Sequence, residues 1–203
     1  MRSTYRVFIF ALVALALSVP AWAQPAIRAN EWAHGTTLTG FAGVAADSTR
    51  SGPMIGGSVG WELTRRIAIE GSGLWVDHEG DASAFGGALT VQAALLGSGK
   101  AVPFVQAGIG LYRASFDPAQ SGVPGFYRQR MGPAGGSVRT FTDPSFVFGG
   151  GANVFLSRNL AIRPHVEAMV VLRNSRSHMV TALSMQVVYH FEDHPVTPAR
   201  RVR

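Results

Sequence analysis

Residues 160–172, LAIRPHVEAMVVL, alternate strictly: Leu160, Ile162, Pro164, Val166, Ala168, Val170 and Leu172 share one parity, while Arg163, His165 and Glu167 fall in the other. A period of two belongs to an extended strand, whose successive side chains point to opposite faces. One face of this strand is wholly apolar and the other carries an arginine, a histidine and a glutamate. Two settings suit it: a half-buried strand of a soluble protein, or a wall with lipid on one side and a polar lumen on the other.

The same rhythm recurs along the chain. Beyond the N-terminal region no long stretch keeps a 3.6-residue apolar period; short period-two segments broken by Gly, Asn, Asp, Ser or Pro replace it. Eight strands are predicted, at about 35–45, 54–63, 67–76, 83–96, 101–116, 145–156, 159–172 and 178–191. In the second, Ile55, Val59, Trp61 and Leu63 oppose Ser58 and Glu62; in the third, Ile67, Ile69 and Trp75 oppose Glu70 and Ser72. The fourth sets Phe85, Leu89, Val91 and Leu95 against Thr90 and Gln92, and the eighth sets Met179, Leu183, Met185, Val187, Tyr189 and Phe191 against Ser184, Gln186 and His190. The fifth is ambiguous, because Phe104 and Tyr112 share the parity of Gln106.

The connections read as short (64–66, 97–100, 157–159) and long (46–53, 77–82, 117–144, 173–177) in alternation. Outer-membrane barrels have tight periplasmic turns and longer outer loops. Composition separates the two settings further. Only 15% of residues are charged and 47% are apolar, low charge for a solvated surface. The polar faces hold a few charges among Gly, Ala and Ser, which suits a cramped interior. Eight strands close into a barrel that side chains just fill, and closure leaves no unpaired amide in hydrocarbon. The predicted fold is all-β: an eight-stranded antiparallel up-and-down transmembrane β-barrel with its apolar faces in lipid and a lumen polar network of Glu62, Glu70, Arg163, His165 and Glu167. Trp61, Tyr189 and Phe191 fall near the short-turn end and Trp75, Phe85, Phe146 and Phe148 near the other, the positions of two interfacial aromatic belts.

The N-terminus reads as a secretory signal peptide over 1–23. Arg2 and Arg6 precede the apolar run Val7 to Val19, and Ala21-Trp22-Ala23 supplies a small-x-small cleavage site; the run is short for a membrane helix. Cleavage after Ala23 leaves a periplasmic linker at 24–33, a barrel at 34–191 and a tail at 192–203, with both termini periplasmic. Losing Arg2 and Arg6 takes the formal charge from +6 to +4, and no basic stripe interleaved with aromatics suggests a nucleic-acid partner. With no cysteine in the chain, disulfide scaffolds, thiolate zinc sites and cysteine nucleophiles are excluded.

The segments VGWELTRRIAIEGSGLW, VPFVQAGIGLYR and FGGGANVFLSRNLAIRPHVEA resemble the small outer-membrane β-barrel proteins of the OmpA-like and OmpX-like group, over about 34–191. The resemblance implies the fold, the outer membrane as location, and lipid, lipopolysaccharide and the barrel-assembly machinery as partners. Two departures stand out. Phe191, the last-strand aromatic on which members commonly finish, is followed by Glu192 to Arg203, and no peptidoglycan-binding domain follows, so cell-wall attachment is not implied.

Chemistry is sparse. The lumen charges read as an ion-pair network rather than a proton relay, since buried charges need partners. Lipid A deacylases and acyltransferases of eight strands use Ser, His and an acid, with a His two residues before a Ser in the deacylases; here Glu167 follows His165 and Val180 follows His178 at that spacing. Asp77, Glu79 and Asp81 form a D-x-E-x-D cluster with oxygen ligands of the kind calcium takes, though a solvated acidic loop is the plainer reading, and no cofactor is expected. In the 117–144 loop Arg128, Arg130 and Arg139 could meet lipopolysaccharide phosphates or an extracellular partner. The expected role is structural or adhesive, without chemistry. The alternatives are a lipid A-modifying enzyme and a soluble lipocalin-like carrier with the faces inverted.

Overall fold

The computed structural model of the protein describes residues 35–47, 50–64, 66–78, 82–96, 99–116, 139–157, 159–173 and 176–191. Eight strands, β1 (Thr36–Ala46), β2 (Ser51–Glu62), β3 (Ile67–His78), β4 (Ala82–Ala94), β5 (Ala101–Phe116), β6 (Arg139–Phe155), β7 (Leu160–Arg173) and β8 (Arg176–His190), pair in sequence order. β1 pairs antiparallel with β8 and closes the barrel.

Register fixes the barrel's shape. Paired residues run from Thr39 through Ser58, Ser72, Ala88, Gly110, Ser145 and Val171 to His178 on β8. The direct β8 partner of Thr39 is instead Val188, so the sheet closes ten residues out of step. That stagger over eight strands tilts them about 40° from the barrel axis, and each residue then climbs about 2.5 Å along the axis.

The faces follow the alternation. Val59, Trp61, Leu89, Ile109, Phe148, Val166, Met185 and Val187 point outward, each roughly half exposed, while Glu70, Gln92, Gln106, Arg163, His165 and Gln186 point into the lumen and are buried. The soluble-carrier alternative needs a charged exterior, and the outward face here is apolar instead. Among the outward aromatics, Trp61, Tyr189 and Phe191 lie toward one end and Trp75, Phe85 and Phe146 toward the other, the groups about 20 Å apart along the axis. Phe148 lies nearer the middle. On β5, the ambiguity resolves with Phe104 and Tyr112 inside, both buried.

The connections differ from the sequence expectation. One end carries 63–66, 95–100 and 156–159; the other carries 47–50, 79–81, 117–138 and 174–175. Only 117–138 is long, so short and long do not alternate. β2, β6 and β8 begin earlier than the sequence suggested, at Ser51, Arg139 and Arg176. Strands at this end run on past the apolar belt with outward Ser51, Asp77, Arg113 and Thr142, where an exposed strand can be polar. Pro53 and Pro144 lie within strands rather than before them. Pro144 falls where β6 stops pairing with β7 and continues with β5 alone, a place that tolerates a missing donor.

The turns are fixed locally. Thr64 Oγ1 accepts the backbone N–H groups of Arg66 (3.2 Å) and Ile67 (3.0 Å), and Ser157 Oγ accepts that of Leu160 (3.2 Å). Gly99, at φ 138°, supplies the left-handed residue of the β4–β5 connection.

Candidate functional site

The interior is stratified along the axis. Toward the 117–138 end it is an apolar plug: Met54, Leu74, Val76, Val147, Met169, Val171 and Val180 pack with Tyr112 in one buried cluster. At the turn end a smaller cluster joins Val102, Phe155, Ala161 and Val188. Between them lies a belt of polar side chains.

Arg163, on β7, is the centre of that belt. Its Nη1 donates to Glu70 Oε2 at 2.9 Å and to Gln186 Oε1 at 3.3 Å, and its Nε donates to Asn153 Oδ1 at 2.6 Å. The guanidinium carbon stands 5.1 Å over the Phe104 ring, a cation–π contact in a desolvated setting. Both partners of the ion pair are buried, Arg163 at 3% exposed and Glu70 at 7%. From Glu70 the chain of bonds continues: Gln92 Nε2 donates to Glu70 Oε2 (2.8 Å) and to Gln106 Oε1 (3.3 Å), and Gln106 Nε2 donates to Glu167 Oε2 (3.0 Å). On the other side, Gln186 Nε2 lies 3.0 Å from His165 Nδ1 and 3.3 Å from Ser184 Oγ, with His165 stacked on Phe104 at 5.8 Å. The belt therefore links β3 to β8 across the lumen.

Four of the five sequence-proposed lumen residues, Glu70, Arg163, His165 and Glu167, are joined by these bonds, two of them only through glutamines. Glu62 is apart: its Oε1 lies 3.4 Å from His190 Nδ1 near the turn end. Of the carboxylates in that proposed network, Arg163 pairs directly with Glu70. Glutamines Gln92, Gln106 and Gln186 and Asn153 carry the rest; the first three lie on inward parities already visible in the sequence. Phe104 was the hidden member, legible only as an aromatic sharing the parity of Gln106. A cavity of about 60 Å³ runs from Thr64 and Arg66 at the turn end to Glu70 and Arg163, and the plug lies beyond it.

The rim at the other end carries a second polar set. Asp143 Oδ2 accepts from Arg173 Nη1 at 2.9 Å, and Arg173 stands 4.4 Å over the Phe141 ring. His178 Nε2 lies 3.3 Å from Asp47 Oδ2, both side chains buried. Asp47 Oδ1 also accepts the Arg50 backbone N–H at 2.7 Å. Sequence reading missed this rim: Asp143 and Arg173 sit at strand ends taken for loops, and Asp47 lies in the β1–β2 connection.

Little in this arrangement suits catalysis. His165 Nδ1 faces a carboxamide, and Ser184 Oγ takes the same carboxamide rather than the imidazole. Among the described residues no three His, Asp or Glu side chains group to hold a metal ion. Asp77 is exposed at the end of β3, whereas Glu79 and Asp81 lie outside the described residues, as do Arg128 and Arg130; Arg139 opens β6.

A closed eight-strand barrel with an apolar exterior and a packed interior has counterparts among known proteins. The family model described as "Outer membrane protein beta-barrel domain" matches residues 9–191. The chain belongs to that family. Among solved structures it is similar to Neisserial surface protein A at TM-score 0.59 and 14% identity, over 78% of this chain and 97% of that one. It is similar to the N-terminal β-barrel domain of Pseudomonas aeruginosa OprF at TM-score 0.54 and 12% identity, over 76% and 97%. A third likeness is Ail, the attachment invasion locus protein of Yersinia pestis, in complex with the heparin analogue sucrose octasulfate, at TM-score 0.50 and 12% identity, over 78% and 98%. At such identities these likenesses bear on fold. No curated protein sequence matches the chain.

Proposed function

We propose that this member of the family works at the cell surface without chemistry of its own, anchored in the outer membrane and meeting a partner with its 117–138 end. The plug carries this reading. With Met54, Leu74, Val147, Met169 and Val171 packed together inside the barrel, the lumen is filled at that end among the described residues, and the surfaces left for work are the rim and the long connection. Export by a cleaved 1–23 signal peptide and insertion by the barrel-assembly machinery fit an outer-membrane barrel. Periplasmic termini fit the single long connection at the opposite end, because outer loops are the long ones in such barrels.

The partner suggested by charge is polyanionic. Arg128 and Arg130 in that connection, with Arg139 at the start of β6, bring three guanidinium groups to this end, whose planar forks match phosphate and sulfate geometry. The polysulfated ligand in the Ail complex supports this choice. The lumen belt of Glu70, Arg163, His165 and Glu167 serves as a brace that ties strands together across the barrel, with Glu62 a separate contact at the turn end.

Reconstitution tests the reading. The purified protein in a planar bilayer is expected to show no conductance steps, and protease added to intact cells is expected to cut within 117–138 and leave a membrane-embedded remainder. Regular conductance, or a chain uncut until the periplasm is opened, would overturn it.

A further inference from the structure

The outward surface over β4, β5 and β6 is not smooth. At Gly87 it sinks into an apolar groove of about 490 Å³. The register supplies its sides: Leu89, Ile109 and Phe146 pair into one outward row, and Leu111 and Pro144 continue the row of Gly87. On the next row toward the 117–138 end, Arg113 pairs with Phe85 and with Thr142. The outward order along β5 is thus Ile109, Leu111, Arg113, so the apolar belt ends at the head of the groove and a cation stands there. Arg113 is exposed, and no carboxylate among the described residues pairs with it.

Gly87 is not imposed by crowding. A Cβ built there would meet only the Ser72 carbonyl oxygen, at an ordinary 3.8 Å, whereas one at Gly110 would strike the Gly87 carbonyl. The missing side chain at Gly87 therefore keeps an exterior groove open without easing the packing of the wall. An apolar groove with a guanidinium at its head complements a molecule with a phosphorylated headgroup on hydrocarbon chains. Arginine engages phosphate by two parallel hydrogen bonds, and the groove lies in the half of the apolar belt nearer the 117–138 connection.

We propose that the groove and Arg113 bind one lipid A unit of the outer leaflet, an acyl chain lying over Gly87 between Leu89 and Leu111 and a phosphate on Arg113. This rests on the membrane-spanning reading with the long connection outward.

The test is native mass spectrometry of the full chain released from micelles doped with purified lipid A, phosphatidylglycerol or phosphatidylcholine. Wild type is compared with Arg113→Gln, with Gly87→Leu, which fills the groove, and with Gly40→Leu. Gly40 also faces outward, and a Cβ there meets nothing within 4 Å. Wild type and Gly40→Leu are expected to retain one lipid A in preference to either phospholipid. Arg113→Gln should weaken retention about fivefold, the usual effect of one arginine at a lipid headgroup, and Gly87→Leu should weaken it at least as much. Equal lipid A retention by all four proteins would overturn the proposal. So would equal retention of phosphatidylglycerol by the wild type, or a wild-type dimer lost on Gly87→Leu, which would assign the groove to a second copy. Failure of the wild type to show a heat-modifiable folded band would overturn the membrane reading itself, a separate result.

Discussion

Arg163 shows how one residue can hold a barrel's interior together. Its three donor contacts, from Nη1 to Glu70 and Gln186 and from Nε to Asn153, and its seat over Phe104 tie the cation to four strands. Deleting it strands a buried carboxylate, and breaking a buried pair from one side typically costs about 3–5 kcal/mol. Arg163→Met is therefore expected to lower stability in detergent by about that amount, measured by urea unfolding, whereas Arg66→Met in the exposed β2–β3 turn should change it by less than about 0.5 kcal/mol. The double variant Arg163→Met with Glu70→Gln should lose less than the two single losses together, because a neutral carboxamide in place of the carboxylate leaves no unpaired charge. Additive losses would mean the two side chains do not act as a pair.

β7 explains what could be read at the level of the strand. Its alternation put Ile162, Val166 and Val170 on one face and Arg163, His165 and Glu167 on the other without knowledge of any neighbour, because side-chain direction in a strand is local. Its inward face turns apolar at Met169 and Val171, so the strand is apolar on both sides near its end. That two-sided stretch was the available sign of the plug. Strand ends were less legible, since Pro53 and Pro144 are turn formers in isolation and become strand residues only when a partner strand is present. The lipid face gives the prediction here. Val166 is outward near the middle of the apolar belt, so Val166→Arg should cost about 2–4 kcal/mol. Ala94→Arg, inward at the turn-end cavity, can extend its guanidinium toward water and should cost less. Refolding yield into lipid vesicles and urea midpoints report both, and equal losses would mean the alternation is wrongly phased.

Across the whole molecule, contacts depend on the stagger with which the sheet closes. The ten-residue offset lifts each strand relative to its neighbour, bringing Glu70 of β3 level with Arg163 of β7 while leaving Glu167 about 10 Å higher along the axis. That is why Glu167 meets Gln106 and Glu62 meets His190, and why no reading of separate strands could assign the partners. The same geometry sorts inward residues into turn-end cluster, polar belt, plug and rim. The central claim, a closed barrel with lipid outside and a packed lumen within, is most directly tested in β7, and the absence of native cysteine makes a scan simple. Single cysteines at 160–172, spin-labelled in lipid vesicles, would be measured for collision with oxygen and with a water-soluble nickel complex. Oxygen accessibility is expected to peak at Ile162, Val166 and Val170 and to fall at His165, Glu167, Met169 and Val171, with little nickel accessibility at the last two. A profile without period two, or nickel reaching the outward positions as freely as oxygen, would contradict the account.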